Sequence, residues 1–263
     1  MKTIANELSV EYELRGPPGA PVVTFCHALA ANMTMWGPQL AALESRYRVL
    51  CFDVRGHGLS QVPPGIYSFA EMVEDVLSLL DALDIDRTHF VGLSMGGMIG
   101  QWFALTHPER LVSLVVCDTS ARTAPEAGSM WDERIATAAR EGMEPHVEPT
   151  IQRWFTPAFI ETRPDIVDPV RTMIRTTDPG GYAGCAAAVK THDALDRLGE
   201  IVCPTLVIVG AEDQGAPVDA AVTIHRRISG SQLVVLESAS HLSNLEQAGA
   251  FNQTLLNFIT RRG

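Results

Sequence analysis

Short runs of β-branched and apolar residues alternate with longer stretches of helical period along most of this chain. That alternation leaves little room for anything but strands joined by crossover helices in a mostly parallel sheet. The strand candidates are Val22 to Phe25, Val49 to Phe52, Thr88 to Val91, Leu111 to Cys117, Leu206 to Val209 and Leu233 to Leu236. Between the second and third, Met72, Val73, Val76, Leu79, Leu80 and Leu83 recur at helical spacing with acids on the opposite face, which predicts an amphipathic crossover helix. The alternation stops after Asp118. Residues 122–195 are polar and punctuated by proline, with Trp131, Trp154 and Phe155 among helix-like segments. The expected organisation is a core of residues 1–121 and 196–263 carrying a helical cap insertion, since ligand-binding segments often ride on a rigid sheet in this way. A peripheral helical layer with no substrate role is the alternative.

The chain has 263 residues, 46% of them apolar and only 19% charged, which suits one large domain with an insertion and argues against disorder. Its formal net charge of −11 repels polyphosphate and anionic lipid, so neither nucleic acid nor a membrane surface is an expected partner. The five cysteines Cys26, Cys51, Cys117, Cys185 and Cys203 show no Cys-x-x-Cys spacing and read as ordinary reduced thiols. Their spacing offers no zinc or redox site. The residues from Met1 to Glu7 contain no continuous apolar run and no stretch reaches membrane-spanning length, so a cytoplasmic setting is the expectation.

The sharpest local motif is Gly92-Leu93-Ser94-Met95-Gly96, a Gly-x-Ser-x-Gly match. The motif alone is weak, and its context decides. An apolar strand ends at Val91 and the helix-compatible run from Met98 to Leu105 follows, so Ser94 falls on a strand-to-helix turn where small neighbours permit strained backbone. There its hydroxyl is exposed beside a helix N-terminus that favours developing negative charge.

A serine hydroxyl attacks poorly until a base takes its proton, and the base needs a third group to fix its tautomer. Asp213 follows the strand ending at Val209, and His241 follows the strand ending at Leu236. Both positions are carboxyl ends of strands, where open α/β sheets build their sites. Glu212 is the rival acid, and Asp213 has a second reading as the cap of a helix beginning near Pro217. Of the remaining histidines, His57 reads as shaping a turn in Asp53 to Ser60. The oxyanion that acyl transfer creates needs amide donors. The N–H of Met95, directly after the nucleophile, is one candidate, and that of Leu29 in the loop after the first strand is the other.

Taken together, Gly92 to Gly96, Asp213, His241, the His27-Ala28-Leu29 loop and Asp53-Val54-Arg55-Gly56-His57-Gly58 resemble the α/β-hydrolase superfamily over nearly the whole chain. A narrower likeness lies in Met35-Trp36-Gly37-Pro38-Gln39, Gly181 to Ala188 and His241-Leu242-Ser243-Asn244-Leu245-Glu246-Gln247, which resemble 3-oxoadipate enol-lactonases of bacterial aromatic catabolism. The resemblance implies opening of a five-membered enol-lactone with a carboxymethyl arm, without cofactor. Such a substrate is an anion. Arg134, close after Trp131, resembles the cap arginine and tryptophan of those lactonases, and these two with Trp154 are the expected substrate-binding residues. A solvated helix-face role for Arg134 beside Asp132 and Glu133 is the alternative. The lactonases carry an Asn-Ser-Leu-Gly-like stretch where this chain has His27-Ala28-Leu29-Ala30, so His27 and the alanines are expected to change the lining beside the ester. Rival readings on the same fold are a carboxylesterase, an acyl-homoserine lactonase or a perhydrolase. A non-catalytic small-molecule receptor is the reading of another class.

Overall fold

The computed structural model describes residues 1–262, and their centre is an eight-stranded sheet. In chain order the strands are β1 (Lys2–Ala5), β2 (Leu8–Arg15), β3 (Val22–Cys26), β4 (Arg48–Phe52), β5 (Thr88–Leu93), β6 (Leu111–Cys117), β7 (Thr205–Gly210) and β8 (Gln232–Leu236). Their order across the sheet is β1-β2-β4-β3-β5-β6-β7-β8. The pairs from β4 through β8 are all parallel, so the carboxyl ends of these strands share one rim.

All six expected strands are present. The β1–β2 hairpin and its antiparallel pairing with β4 were not anticipated. A period-two signal was there in Leu8, Val10, Tyr12 and Leu14, but the strand is mostly half-buried and its neighbours are polar.

The helices are α1 (Gly37–Leu43), α2 (Phe69–Ala82), α3 (Met95–Thr106), α4 (Gly128–Glu141), α5 (Val147–Trp154), α6 (Pro157–Thr162), α7 (Pro164–Thr176), α8 (Pro179–Lys190), α9 (Val218–Arg227), α10 (Ser243–Glu246) and α11 (Ala248–Ile259). The crossover helix α2 opens on a capping box, in which Ser68 accepts from the Glu71 amide and the Glu71 carboxylate accepts from the Ser68 amide. It buries Met72, Val73, Val76, Leu79 and Leu80. Its polar edge holds the loop after β4 through a buried ion pair, Arg55 Nε to Asp75 Oδ2 at 2.6 Å and Arg55 Nη2 to Asp75 Oδ1 at 2.8 Å.

Between β6 and β7 the chain leaves the sheet as a wholly helical excursion, α4 to α8, whose base is closed by an antiparallel bridge between Arg122 and Asp193. We refer to it as the cap. Core and cap share one apolar interior. Phe25, Phe90 and Phe103 are fully buried in the sheet layers, and Ile151, Phe155, Val167 and Ile174 are as deeply buried in the cap. Among the described residues no helix is long and apolar enough to cross a membrane.

Candidate active site

Ser94 is where the central strand β5 breaks into α3. Its backbone sits at φ 55°, ψ −116°, a conformation that costs a non-glycine residue about 1–3 kcal/mol and persists only where the surroundings hold it. Three hydrogen bonds do so. Ser94 N donates to Cys117 O at 2.9 Å, while Ser94 O accepts from Met98 N at 3.0 Å and from Thr119 Oγ1 at 2.8 Å. The flanking glycines serve close approach. A Cβ at Gly92 would land on the Gly96 carbonyl, and one at Gly96 on the Cys26 carbonyl, so this turn packs against β3 only without side chains.

Two strands along the rim, the loop after β7 presents Asp213 to His241 in the loop after β8. Asp213 Oδ2 lies 2.9 Å from His241 Nδ1, and Asp213 Oδ1 accepts from the amides of Gly215 and Ala216 at 2.7 and 3.0 Å. Asp213 therefore does not cap α9, whose N-cap is Pro217 with no side-chain bond. Glu212, the rival acid, is exposed. Burial pulls the His241 pKa down, but the charge and hydrogen bond of Asp213 outweigh it, so the net pKa is raised above the ordinary value. Among the described residues no hydrogen bond joins Ser94 Oγ to His241. Both side chains open into one cavity, and such contacts often tighten only once substrate is bound.

A residue that sequence reading passed over completes this corner. Asp118, at the end of β6 with φ 46°, accepts from Gly210 N at 2.8 Å and from Ser243 Oγ at 2.5 Å. It thus ties the ends of β6 and β7 to the segment just past His241. Complete burial, then the nearby charge of Asp213, push its pKa well above the carboxylate range.

In the loop after β3, Ala30 N donates to His57 Nε2 at 3.0 Å, Ala31 N to Ala28 O at 3.1 Å and Met33 N to Asp53 Oδ1 at 2.8 Å. Among the described residues no hydrogen bond within the protein engages the Leu29 amide. Met95, as first residue of α3, has no carbonyl one turn earlier to bond. Leu29 and Met95 both line the cavity.

The expectation for His27 is corrected. Its ring is fully buried, turned away from the cavity, with Nε2 accepting from Val54 N at 2.9 Å and Nδ1 2.8 Å from Ala28 O. His57 likewise shapes its turn. Burial lowers the two pKa values to about 4 for His27 and about 3 for His57, the latter helped by the neighbouring His27, so both rings are neutral brackets for the loop.

The cavity, about 410 Å³, lies between this rim and the cap. Trp131, Arg134 and Trp154, the expected substrate-binding residues, all line it, and so does Arg153, which was not expected. Trp154 stacks on the His241 ring at 6.3 Å and 28°. The Arg134 guanidinium lies over the Trp131 ring, 5.0 Å from its centroid, and is half-buried rather than solvated. A clue to Arg153 was present: alone among the seven cap arginines, it has no acid within four residues in sequence. A separate cavity of about 350 Å³, lined by Phe69, Trp102 and His192, holds no serine; there His192 Nδ1 accepts from Trp102 Nε1 at 3.2 Å.

Residues 21–248 match the family model for the alpha/beta hydrolase fold. The chain is 37% identical to 3-oxoadipate enol-lactonase 2 of Acinetobacter baylyi, over 95% of this chain and 93% of that protein. The enol-lactonase of Burkholderia xenovorans superposes with a TM-score of 0.95 at 36% identity, covering 99% of this chain and all of that one. A thermophilic esterase of Thermogutta terrifontis, solved with malate bound, gives 0.93 at 31% identity, covering 99% and 98%.

Proposed function

This chain belongs to the alpha/beta hydrolase fold family, and from that premise we propose that it hydrolyses a small carboxylate-bearing ester or lactone, 3-oxoadipate enol-lactone foremost, using Ser94 as nucleophile. His241 accepts the Ser94 proton as Oγ bonds to the carbonyl carbon. Asp213 holds the imidazole with Nε2 free to act and stabilises the imidazolium that forms. The amides of Met95 and Leu29 receive the tetrahedral oxyanion. Collapse breaks the bond to the ring oxygen, which leaves as an enol with the proton from His241 and converts to the ketone. His241 then deprotonates water, which attacks the acyl carbon and releases Ser94 and the free acid. Ketonisation makes the ring opening hard to reverse.

The observation that carries this reading is a single cavity lined by Ser94 and His241 on one wall and on the other by Arg134, which has no carboxylate partner among the described residues. An anionic substrate suits that wall in a protein whose net charge otherwise repels anions. The enol-lactonases among the relatives favour a lactone, and the malate in the related esterase favours a carboxylate. Specificity is a ratio of kcat/KM values, so the test compares the enol-lactone with short neutral 4-nitrophenyl esters and homoserine lactones. The enol-lactone is expected to win by a wide margin; a neutral ester in that place removes the enol-lactonase reading and leaves an esterase.

A further inference from the structure

The seven arginines of the cap divide into two sets. Five of them, Arg122, Arg140, Arg163, Arg171 and Arg175, meet carboxylates at 2.6–2.8 Å. Arg134 and Arg153 meet none among the described residues, although the cap holds eleven acids against eight bases. Both are half-buried, and both line the cavity that holds Ser94. Among the described residues the Arg153 guanidinium makes one hydrogen bond, from Nη2 to Thr150 Oγ1 at 3.1 Å. Among the described residues the only acid lining the cavity is Asp118, which is already bonded to Gly210 and Ser243.

We propose that Arg153 is the second cation of a two-arginine receptor, with Arg134, for a carboxylate carried by the substrate. This rests on the anionic-substrate reading above and adds to it the residue, the partner cation and a link to the base. Leaving two cations in one partly dry pocket is costly unless an anion completes the set. The cost is visible on Arg153, whose pKa is pulled down to about 10 by burial and then by the charge of Arg134. Burial likewise lowers that of Arg134. Tyr182, also at this wall, is a phenol whose own pKa is raised by burial, so it supplies no counter-charge.

Arg153 is also joined to the catalytic corner through its backbone. Ser240 Oγ donates to Arg153 O at 2.9 Å and Leu242 N donates to Trp154 O at 3.0 Å, so the end of α5 is stitched to both neighbours of His241. Glu246 extends the seam by accepting from Ser240 N at 2.9 Å and Thr156 N at 3.0 Å. The titratable groups acting on His241 are Asp213 from the β7 loop, Asp118 from the end of β6 and Arg153 from α5; Asp213 favours the imidazolium, Asp118 does so only when ionised, and Arg153 opposes it. A carboxylate bound to Arg153 offsets that opposition, so binding the anion makes His241 the stronger base.

The test uses two 4-nitrophenyl esters of equal chain length, one ending in a carboxylate and the other in a methyl group, with wild type, Arg134→Met, Arg153→Met and Arg153→Lys. Arg153→Met should lower kcat/KM on the anionic ester about 10- to 100-fold, mainly through KM, and change the neutral ester less than about threefold. Arg153→Lys should recover part of the loss. The acid limb of kcat/KM on the neutral ester should move to higher pH in Arg153→Met and stay put in Arg153→Lys. Equal losses on both esters, or an unmoved anion preference, would overturn the role of Arg153 while leaving Arg134 and the serine chemistry standing. A wild type that shows no preference for the anion removes the receptor and the anionic-substrate reading together. Because the pair tests a carboxylate and not a ring, a failure on enol-lactone alone is read separately.

Discussion

On the sheet rim, Ser94, Asp213 and His241 are fixed by strand register and buried hydrogen bonds; across the cavity, Trp131, Arg134 and Arg153 ride on helices inserted between two strands. The rim leaves its groups little freedom. Ser94 is clamped by three backbone-directed bonds, and Asp213 accepts from two amides as well as facing the imidazole. The cap does the reverse: Arg140, Arg163 and Arg175 are neutralised by acids, as is Arg122 at the cavity's edge, whereas the cavity-lining Arg134 and Arg153 meet no carboxylate among the described residues. Rigid groups suit a reaction in which small misplacements are costly, and unpaired charge suits selection among substrates. Rim substitutions should therefore act on kcat and cap substitutions on KM.

The largest effect breaks the rim at its proposed nucleophile. Ser94→Ala should lower kcat by about 10⁴- to 10⁶-fold with KM little changed, measured by steady-state hydrolysis with an unaltered melting temperature as control. Next comes the acid. Asp213→Asn should cost about 10⁴-fold in kcat, because the amide no longer stabilises the imidazolium, while Glu212→Gln on the exposed neighbour should leave the rate unchanged. Comparable losses from the two would return the choice of acid to Glu212. On the cap side, Arg134→Met should raise KM for anionic substrates about 10- to 100-fold and leave neutral ones nearly untouched. A loss confined to kcat would erase the division between the two walls.

The smallest effect concerns pH. In the proposed mechanism His241 acts as a base when neutral, and its raised pKa is expected to place the acid limb of kcat/KM above the ordinary histidine value of about 6.5. A limb near pH 4 would contradict His241 as the base.

The rim was largely legible in the sequence, because groups placed directly after apolar strands inherit their position from sheet register. Ser94, Asp213 and His241 could each be found by counting from the end of a strand. The N-terminal hairpin was not, since β2 is half-buried and its alternation is short. His27 was misjudged because a side chain after a strand can turn inward as readily as outward, and only the amide of Val54, from a loop 27 residues on, selects its direction.

Arg153 escaped for a related reason. Which face of a cap helix turns inward is decided by contacts with elements distant in sequence, here the loop around His241. The lactonase-like motifs turn out to grip one another. Gln39 Nε2 donates to Asn244 O at 3.0 Å and Asn244 Nδ2 to Met35 O at 3.1 Å, while Gly181 packs against the backbone of Gly56. Their likeness therefore reports how core, cap and histidine loop are joined, and says less about which ester is opened.

The central claim is that one hydroxyl, activated by one imidazole, becomes covalently acylated. Intact-mass and peptide analysis after exposure to an alkyl phosphonate ester tests it most directly, since the phosphonyl group stays on the nucleophile as a tetrahedral adduct. One adduct per chain on Ser94, absent from Ser94→Ala and formed far more slowly by His241→Asn, is the predicted result. An adduct on another residue accompanied by loss of activity, or full activity in Ser94→Ala, would contradict it.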